Sequence, residues 1–354
     1  MTNRIERLQA SFASLSIDAF LVSSPSDQRY LTGTSVEAGD GYLLVMADSA
    51  VFVTDARYEA ELATTMPGVP KTITRDYLQA VNDALDAAGA TVLGIEDSLT
   101  VAEYEWLDEH LMTDIVPIAG VVGELRQIKD HTELKAIRRA TRLTSQGLAA
   151  LFTVLKPGMT EREAAQWLER WMLEHGSTGP SFGTIVASGE RSAWPHGQAS
   201  EKLLATGELV TIDCGFYVDG YTSDVTRTVA LGDPGQALTA AYQAVQQAQT
   251  MIRAAVRPGV TGDELDRIGR DYLTEQGYGP AFIHGTGHGI GVDIHEGPNI
   301  GRGWPDVMQA NEVITVEPGV YFTGKGGIRI EDDLLVTETG NECLTTTPRN
   351  LIIL

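Results

Sequence analysis

The sequence predicts a soluble α/β (α+β) chain of two domains, the second built twice over. Three observations carry this. The first third alternates short apolar runs with helical patterns. Two segments of the shared pattern Pro-Gly-x-Thr-x-x-Glu, Pro157-Gly-Met-Thr-Glu-Arg-Glu163 and Pro258-Gly-Val-Thr-Gly-Asp-Glu264, open helices in the remainder. Each half then carries an apolar run into an acid, Asp213 in one and Glu317 in the other.

In chain order, Asn3 to Leu15 has apolar residues at helical spacing (Ile5, Leu8, Phe12, Leu15). Ala19 to Val22 reads as a buried strand, closed by Ser24-Pro25-Ser26. Tyr42–Met46 and Val51–Thr54 flank Asp48-Ser49 as a hairpin. Leu78–Ala88 is helical, Thr91–Ile95 a strand, and Val101–Met112 helical again. Residues 1–123 are therefore a small α/β domain. Its single histidine, His110, reads as structural, and it has no catalytic constellation, so its role is to shape access or assembly. Leu125–Arg139, charged and helix-prone, leads into the second domain, 124–354.

The duplication extends beyond the helix openings. Thr160 and Thr261 are N-caps with an acid three residues on, the pattern of a capping box. A longer helix precedes each copy, Leu143–Leu155 and Leu238–Ala255. Pro180-Ser-Phe182 and Pro280-Ala-Phe282 follow the two copies into apolar runs. Glu208-Leu-Val-Thr-Ile-Asp213 then aligns with Glu312-Val-Ile-Thr-Val-Glu317, and Asp224 falls approximately where Glu331 falls. Two pseudo-symmetric helix-plus-sheet units around a shared cleft are expected.

Each half thus supplies two acids from strands that are otherwise apolar. An ionised carboxylate there is costly unless something positive meets it. Arg227 and Arg329 can pair some of them; a pair of divalent ions accounts for all four together with His288. The hairpin signal Asp219-Gly220 fixes a register for the first pair. Val218 then faces Tyr221, Asp224 faces Gly215, and Asp213 and Asp224 are diagonal neighbours roughly 7–8 Å apart at Cα. Gly215 leaves room above the sheet, and Cys214 points to the opposite face as core. The loop Thr323–Gly327 is too irregular to fix a register for Glu317 and Glu331.

Three of the seven histidines lie in one stretch, His284 to His295, among Gly285, Gly287, Gly289 and Gly291. Each glycine costs about 1 kcal/mol in a helix relative to alanine, so the path is extended or looped. At about 3.3 Å per residue His284 and His288 then lie ~13 Å apart and cannot share one ion. One metal ligand fits better, with the other two histidines either supporting the ligands from behind or facing substrate. The spacing also fails the G-x-G-x-x-G fingerprint. A fourth histidine, His196, follows the first copy's strand much as His295 follows the second's.

Four carboxylates and one imidazole without thiolate form a hard site, suited to Mn²⁺ and tolerant of Zn²⁺ or Co²⁺. Two such ions about 3.5–4 Å apart ready water for attack and polarise a carbonyl. His284, His295 and Arg329 remain for substrate and oxyanion. The formal charge of −22 argues against nucleic acid and anionic membranes as partners. Cys214 and Cys343 give neither a disulfide framework nor a zinc-finger spacing. With charged residues Arg4, Glu6 and Arg7 near the start and no stretch long enough to span a membrane, a cytoplasmic protein is expected.

These residues resemble the creatinase/methionine aminopeptidase superfamily, the pita-bread metallopeptidases, and within it the Xaa-Pro peptidases, aminopeptidase P and prolidase. Ala19–Val22 to Tyr30–Gly33, with Val53-Thr-Asp-Ala-Arg57-Tyr58, is similar to that group's N-terminal domain. Ser223-Asp-Val-Thr-Arg-Thr228 and Gly327-Ile-Arg-Ile-Glu-Asp332 are similar to its metal motifs. The resemblance implies that Asp213, Asp224, His288, Glu317 and Glu331 bind two metals, with Asp224 and Glu331 bridging. It further implies catalytic roles for His196, His295, Glu317 and Arg329. His284, Tyr321 and Arg329 would line the pocket for proline after the scissile bond. Many prolidases have Arg directly after the histidine matching His284, where this chain has Gly285, which tilts the expectation towards peptides longer than two residues. A homodimer acting on proline-containing peptides is expected. The competing readings are a methionine aminopeptidase, disfavoured by the N-terminal domain, and a non-catalytic binding module or metal-free creatinase-like hydrolase, disfavoured by the complete ligand set.

Overall fold

The computed structural model describes residues 2–354, which form two compact units, the second spanning Gln127–Leu354. The division falls at Arg126 rather than at residue 123. The helix Val121–Gln127 explains the difference: Arg126 pairs with Asp27 of the first unit at 2.6 Å, and the Leu125 carbonyl accepts from Tyr30.

The first unit runs α1 (Thr2–Leu15), β1 (Ala19–Val22), α2 (Pro25–Thr32), β2 (Gly41–Met46), β3 (Ala50–Thr54), α3 (Glu59–Thr65), β4 (Lys71–Ile73), α4 (Tyr77–Ala88), β5 (Val92–Ile95), α5 (Val101–His110), β6 (Asp114–Pro117) and α6 (Val121–Gln127). Its strands form one mixed sheet in the order β4-β3-β2-β1-β5-β6. The hairpin β2–β3 forms as expected, pairing Val45 with Ala50. The sequence reading missed α2. Ser24 accepts from the Asp27 N–H, Pro25 begins the helix, and Gly33 ends it in the left-handed region, so the Ser-Pro pair is a helix start rather than a turn. The short elements α3, β4 and β6 were also not anticipated; none is longer than seven residues. Helix α5 ends at His110, whose ring stacks on Trp106 at 4.3 Å, a structural role.

The second unit contains α7 (His131–Phe152), α8 (Glu161–Glu174), β7 (Gly179–Pro180), β8 (Ile185–Ser188), β9 (Glu208–Cys214), β10 (Phe216–Tyr217), β11 (Val225–Leu231), α9 (Gln236–Ala255), α10 (Gly262–Glu275), β12 (Gly287–Gly289), β13 (Glu296–Ile300), β14 (Val313–Val316), β15 (Gly319–Phe322), β16 (Gly326–Arg329), β17 (Asp332–Val336) and β18 (Asn341–Cys343). The stretch 125–139 is two helices rather than one. Asp130 caps α7 through a capping box with Glu133 and so separates it from α6.

The repeat is structural. Thr160 and Thr261 each form a complete capping box, with Glu163 and Glu264. The glycine ahead of each lies at positive φ, +89° for Gly158 and +88° for Gly259. Both glycines donate to the corresponding loop of their own half, Gly158 to Leu204 O and Gly259 to Met308 O. The sheets repeat too: β8-β9-β11 in one half, and β12-β14-β17 within the five-stranded sheet of the other. Helices cover each sheet, through Leu148, Leu168, Val186 and Ile212 in one core and Ile252, Leu265, Ile314 and Leu334 in the other.

Removing either capping hydroxyl should therefore cost the same. Thr160→Ala and Thr261→Ala are each expected to lose about 1 kcal/mol, lowering the melting temperature by roughly 2–4 °C, with Ser restoring most of it. Calorimetry checks this; unchanged melting in both variants would show that the boxes contribute nothing.

Candidate metal centre

The first pair of acids is set by a tight hairpin. Asp219 and Gly220 lie at φ 54° and 80°, as a type I′ turn requires, and Val218 pairs with Tyr221. The same register continues into Val225 opposite Cys214 and Thr226 opposite Asp213. Asp224 therefore faces Gly215, diagonal to Asp213, as the sequence predicts. The space expected above Gly215 is not open. A Cβ there would lie 2.3 Å from Ser223 O and 2.4 Å from Ser181 Oγ, so glycine permits close chain approach instead. Cys214 is fully buried in the core, and burial pushes its thiol up.

The second pair has a different register. Val316 pairs with Asp332 on one side and Gly319 with Arg329 on the other, so Glu317 sits directly opposite Glu331. Superposing the two hairpins at Asp213 and Glu317 makes Thr226 the counterpart of Glu331, and Arg329 the counterpart of Asp224. The approximate match of Asp224 with Glu331 is thus displaced by one step of the strand alternation. The halves interlock through these unlike residues. Thr226 Oγ1 donates to Glu331 Oε2 at 2.6 Å and accepts from Arg329 Nε at 3.1 Å. Arg329 Nη2 donates to Asp213 Oδ2 at 2.5 Å. Thr226 escaped the sequence reading, although its position two residues after Asp224 places it on the same strand face. Arg227, proposed as a partner for the acids, faces away and pairs with Asp332 at 2.7 Å.

His288 lies in β12 between two strands. A Cβ at Gly287 would fall 2.1 Å from Thr315 O, which explains why this stretch is glycine-rich and not helical. The His288 Nδ1 contacts its neighbour's carbonyl, Gly289 O, at 3.0 Å and so carries a proton. Nε2 faces Glu317 Oε1 at 3.3 Å and Asp224 Oδ2 at 3.7 Å. Asp224, His288 and Glu331 offer donor atoms within 4.8 Å of one another. Asp213 and Glu317 line the same cleft, of about 530 Å³. The Asp224 backbone N–H is held by Asp333 at 3.2 Å, and Asp333 in turn accepts from Thr141 at 2.6 Å.

His196 and His295 line this cleft with His284 and Arg329. The His295 ring stands edge-on to His288 at 4.5 Å. Next to His196, the Pro195 carbonyl accepts from Arg329 at 3.3 Å. His284 Nδ1 donates to Gly285 O at 2.7 Å, so its Nε2 accepts from the Tyr321 hydroxyl at 2.9 Å. Tyr321 in turn accepts from Arg329 Nη1 at 2.7 Å. Burial lowers the His284 pKa and keeps the ring neutral. Tyr321, expected on the pocket wall, is buried behind His284 and Arg329 and connects them.

Electrostatically the four acids are crowded. Burial, then the charges of Glu331, Asp213 and Glu317, push Asp224 well up. Burial and the charges of Glu317 and Asp213 do the same to Glu331. Burial would raise Glu317 too, but the hydrogen bond and charge of His288 bring it down to about 2. Asp213 Oδ1 and Asp224 Oδ1 are buried without a hydrogen-bond partner. Orphaned carboxylate oxygens, an imidazole whose Nε2 faces them, and mutual repulsion are the conditions that a divalent cation relieves. The residues fit such an ion.

A cleft of this kind defines a metal-dependent hydrolase, and similarity places it more narrowly. Residues 135–338 match Metallopeptidase family M24, and residues 4–128 match the Creatinase/Prolidase N-terminal domain. The chain belongs to metallopeptidase family M24, and its mixed α/β fold has the expected pita-bread second domain. It is 37% identical to a Xaa-Pro dipeptidase of Pyrococcus furiosus, over 99% of this chain and 100% of that one. The structure of a Xaa-Pro dipeptidase from Bacillus anthracis superposes with a TM-score of 0.96 at 39% identity, covering 100% and 99% of the two chains. An X-Pro aminopeptidase from Thermotoga maritima superposes at 0.92 with 32% identity, covering 99% of each. No helix among the described residues is long and apolar enough to cross a membrane.

Without divalent ions, stability should fall as pH rises above 7. Asp224 and Glu331 have raised folded pKa values, so the folded chain keeps protons that the unfolded chain has lost, and this contribution shrinks as pH climbs towards them. His288, raised from 6.5, contributes stability that is lost as pH rises through its folded value. His284 and His295, both lowered, have finished their opposite contribution by that point. Mn²⁺ should flatten the slope. Melting curves at pH 7 and about 8.5, with chelator and with Mn²⁺, test it; equal slopes would contradict it.

Proposed function

We propose that this chain is a dinuclear metallopeptidase that hydrolyses the Xaa-Pro bond of short peptides, most efficiently Xaa-Pro dipeptides. The observation that carries this is the convergence of Asp213, Asp224, His288, Glu317 and Glu331 on one cleft, with carboxylate oxygens left unsatisfied. Those five residues would hold two divalent ions. Mn²⁺ suits the oxygen-rich set, with Zn²⁺ or Co²⁺ as substitutes. The ions would activate water and polarise the scissile carbonyl.

The chain's own residues do the rest. Neutral His284, braced through Tyr321 by Arg329, offers a flat polar wall to the proline ring. His295 and His196 stand where they can donate to the oxygen that becomes negative as the carbonyl is attacked. Glu317, ionised, takes the proton that the attacking water releases and returns it to the departing proline nitrogen. Arg329 opposes the negative charge of the acids and fixes Asp213.

Peptide length is read from similarity rather than from Gly285. A Cβ at Gly285 would meet Ile300 O at 3.0 Å, so close packing is a second reason for a bare Cα there. The dipeptidase names among relatives at 37–39% identity favour dipeptides over the longer substrates that the sequence alone suggested. A cytoplasmic homodimer is part of the same proposal; both cysteines are free thiols, as a reducing compartment maintains.

Two experiments test the reading. Asp224→Asn should abolish hydrolysis while the chain stays folded; wild-type turnover with added Mn²⁺ would remove it from the centre. Matched Xaa-Pro and Xaa-Pro-Xaa peptides should show the higher kcat/KM on the dipeptide, and the reverse order would identify an aminopeptidase P instead.

A further inference from the structure

Helix α10 carries a buried ion pair that reaches across to the segment holding His284. Asp266 and Arg270 stand one turn apart on the helix, with side chains 2% and 13% exposed. The contact is bidentate: Arg270 Nε donates to Asp266 Oδ2 and Nη2 to Oδ1, each at 2.7 Å. The guanidinium also reaches the backbone. Nη1 donates to Phe282 O at 2.8 Å, and Nη2 donates to His284 O at 2.7 Å. It lies over the Phe282 ring at 4.0 Å, and that ring stands edge-on to His284 at 5.3 Å. Asp266 holds the chain two residues further on. Its Oδ1 accepts from Thr286 Oγ1 at 2.9 Å, and the Thr286 carbonyl accepts from the Glu317 N–H at 2.8 Å. One ion pair thus ties the His284 backbone to the same support as the backbone of Glu317.

The duplication shows that the fold does not require this pair. When the repeats are aligned, Asp266 falls on Ala165, Arg270 on Glu169 and His284 on Thr184. The clamp is present in the half that has a histidine at this position and absent from the other. Neither Asp266 nor Arg270 lines the cleft, and the His284 ring is held separately, through Tyr321. We infer that Arg270, oriented by Asp266, is a positioning residue for His284: its fork on the Phe282 and His284 carbonyls sets the imidazole wall against which proline packs. The inference rests on the proline-facing role proposed for His284. A lysine in place of Arg270 keeps the charge, but a single ammonium cannot span a carboxylate and two carbonyls in this geometry. Holding the charge constant therefore separates the fork from electrostatics.

The test is a double-mutant cycle read by proline binding. Free proline, titrated calorimetrically into the Mn²⁺-loaded enzyme, reports on the wall without turnover, and steady-state kinetics on a Xaa-Pro dipeptide accompany it. His284→Ala should weaken proline binding about tenfold. Arg270→Lys should weaken it about three- to tenfold and raise KM to a similar extent, with bound Mn²⁺ unchanged. The double variant should bind proline like His284→Ala alone. Wild-type proline affinity in Arg270→Lys would overturn the inference, as would losses that multiply in the double variant. Wild-type affinity in His284→Ala would remove the histidine from the proline pocket and the inference with it, a failure distinguishable from one confined to Arg270. If Arg270→Lys does not fold, Asp266→Asn, which keeps an acceptor for Thr286 but takes the charged partner from the guanidinium, replaces it in the cycle with the same outcomes.

Discussion

The burial of four carboxylates on one cleft wall is the constraint to which the rest of the second unit answers. Asp213 lies in β9, and Asp224, Glu317 and Glu331 flank β11, β14 and β17, so all four are held by strands packed into the core. Their mutual repulsion works against folding unless positive charge is brought to them. The chain supplies only part of it, through Arg329 on Asp213 and His288 on Glu317. The remainder is the driving force for binding cations, and it explains why polar side chains behind the acids are so fully used. Thr226 holds the Glu331 carboxylate, and Asp333, itself held by Thr141, holds the Asp224 backbone.

Duplication provides the frame, and its breaking provides the chemistry. Both halves use the same capped helix, the same positive-φ glycine and the same three-strand core. At the centre they part. Where one hairpin has Thr226 and Asp224, the other has Glu331 and Arg329 on the matching face. A strictly symmetric site would have placed two arginines or none. The unlike pair lets one half contribute a hydroxyl that the other half's acid and guanidinium share.

Much of this was legible in the residues. The turn Asp219-Gly220 admits one register, so the diagonal placement of Asp213 and Asp224 followed from counting. The glycines around His288 excluded a helix on propensity alone. The register of Glu317 and Glu331 was not legible, because the irregular loop 323–327 gives no count, and only the ladders on both sides of the acids fix it. Helix α2 was missed because eight residues carry too little periodicity to outweigh a Ser-Pro pair that also suits a turn. The Glu296 contact with Lys129 joins residues 167 positions apart, and no local pattern announces such a pair. Gly285 has a packing reading beside the substrate one, since a Cβ there would lie 3.0 Å from the Ile300 carbonyl, and sequence alone does not show that contact.

The central claim is that the five donors hold two cations rather than one or none. A crystal grown with Mn²⁺ and measured at the manganese absorption edge tests it directly. The account predicts two anomalous peaks about 3.5–4 Å apart, as two-metal hydrolases require, enclosed by Asp213, Asp224, His288, Glu317 and Glu331. A single peak, or density away from those side chains, would contradict it.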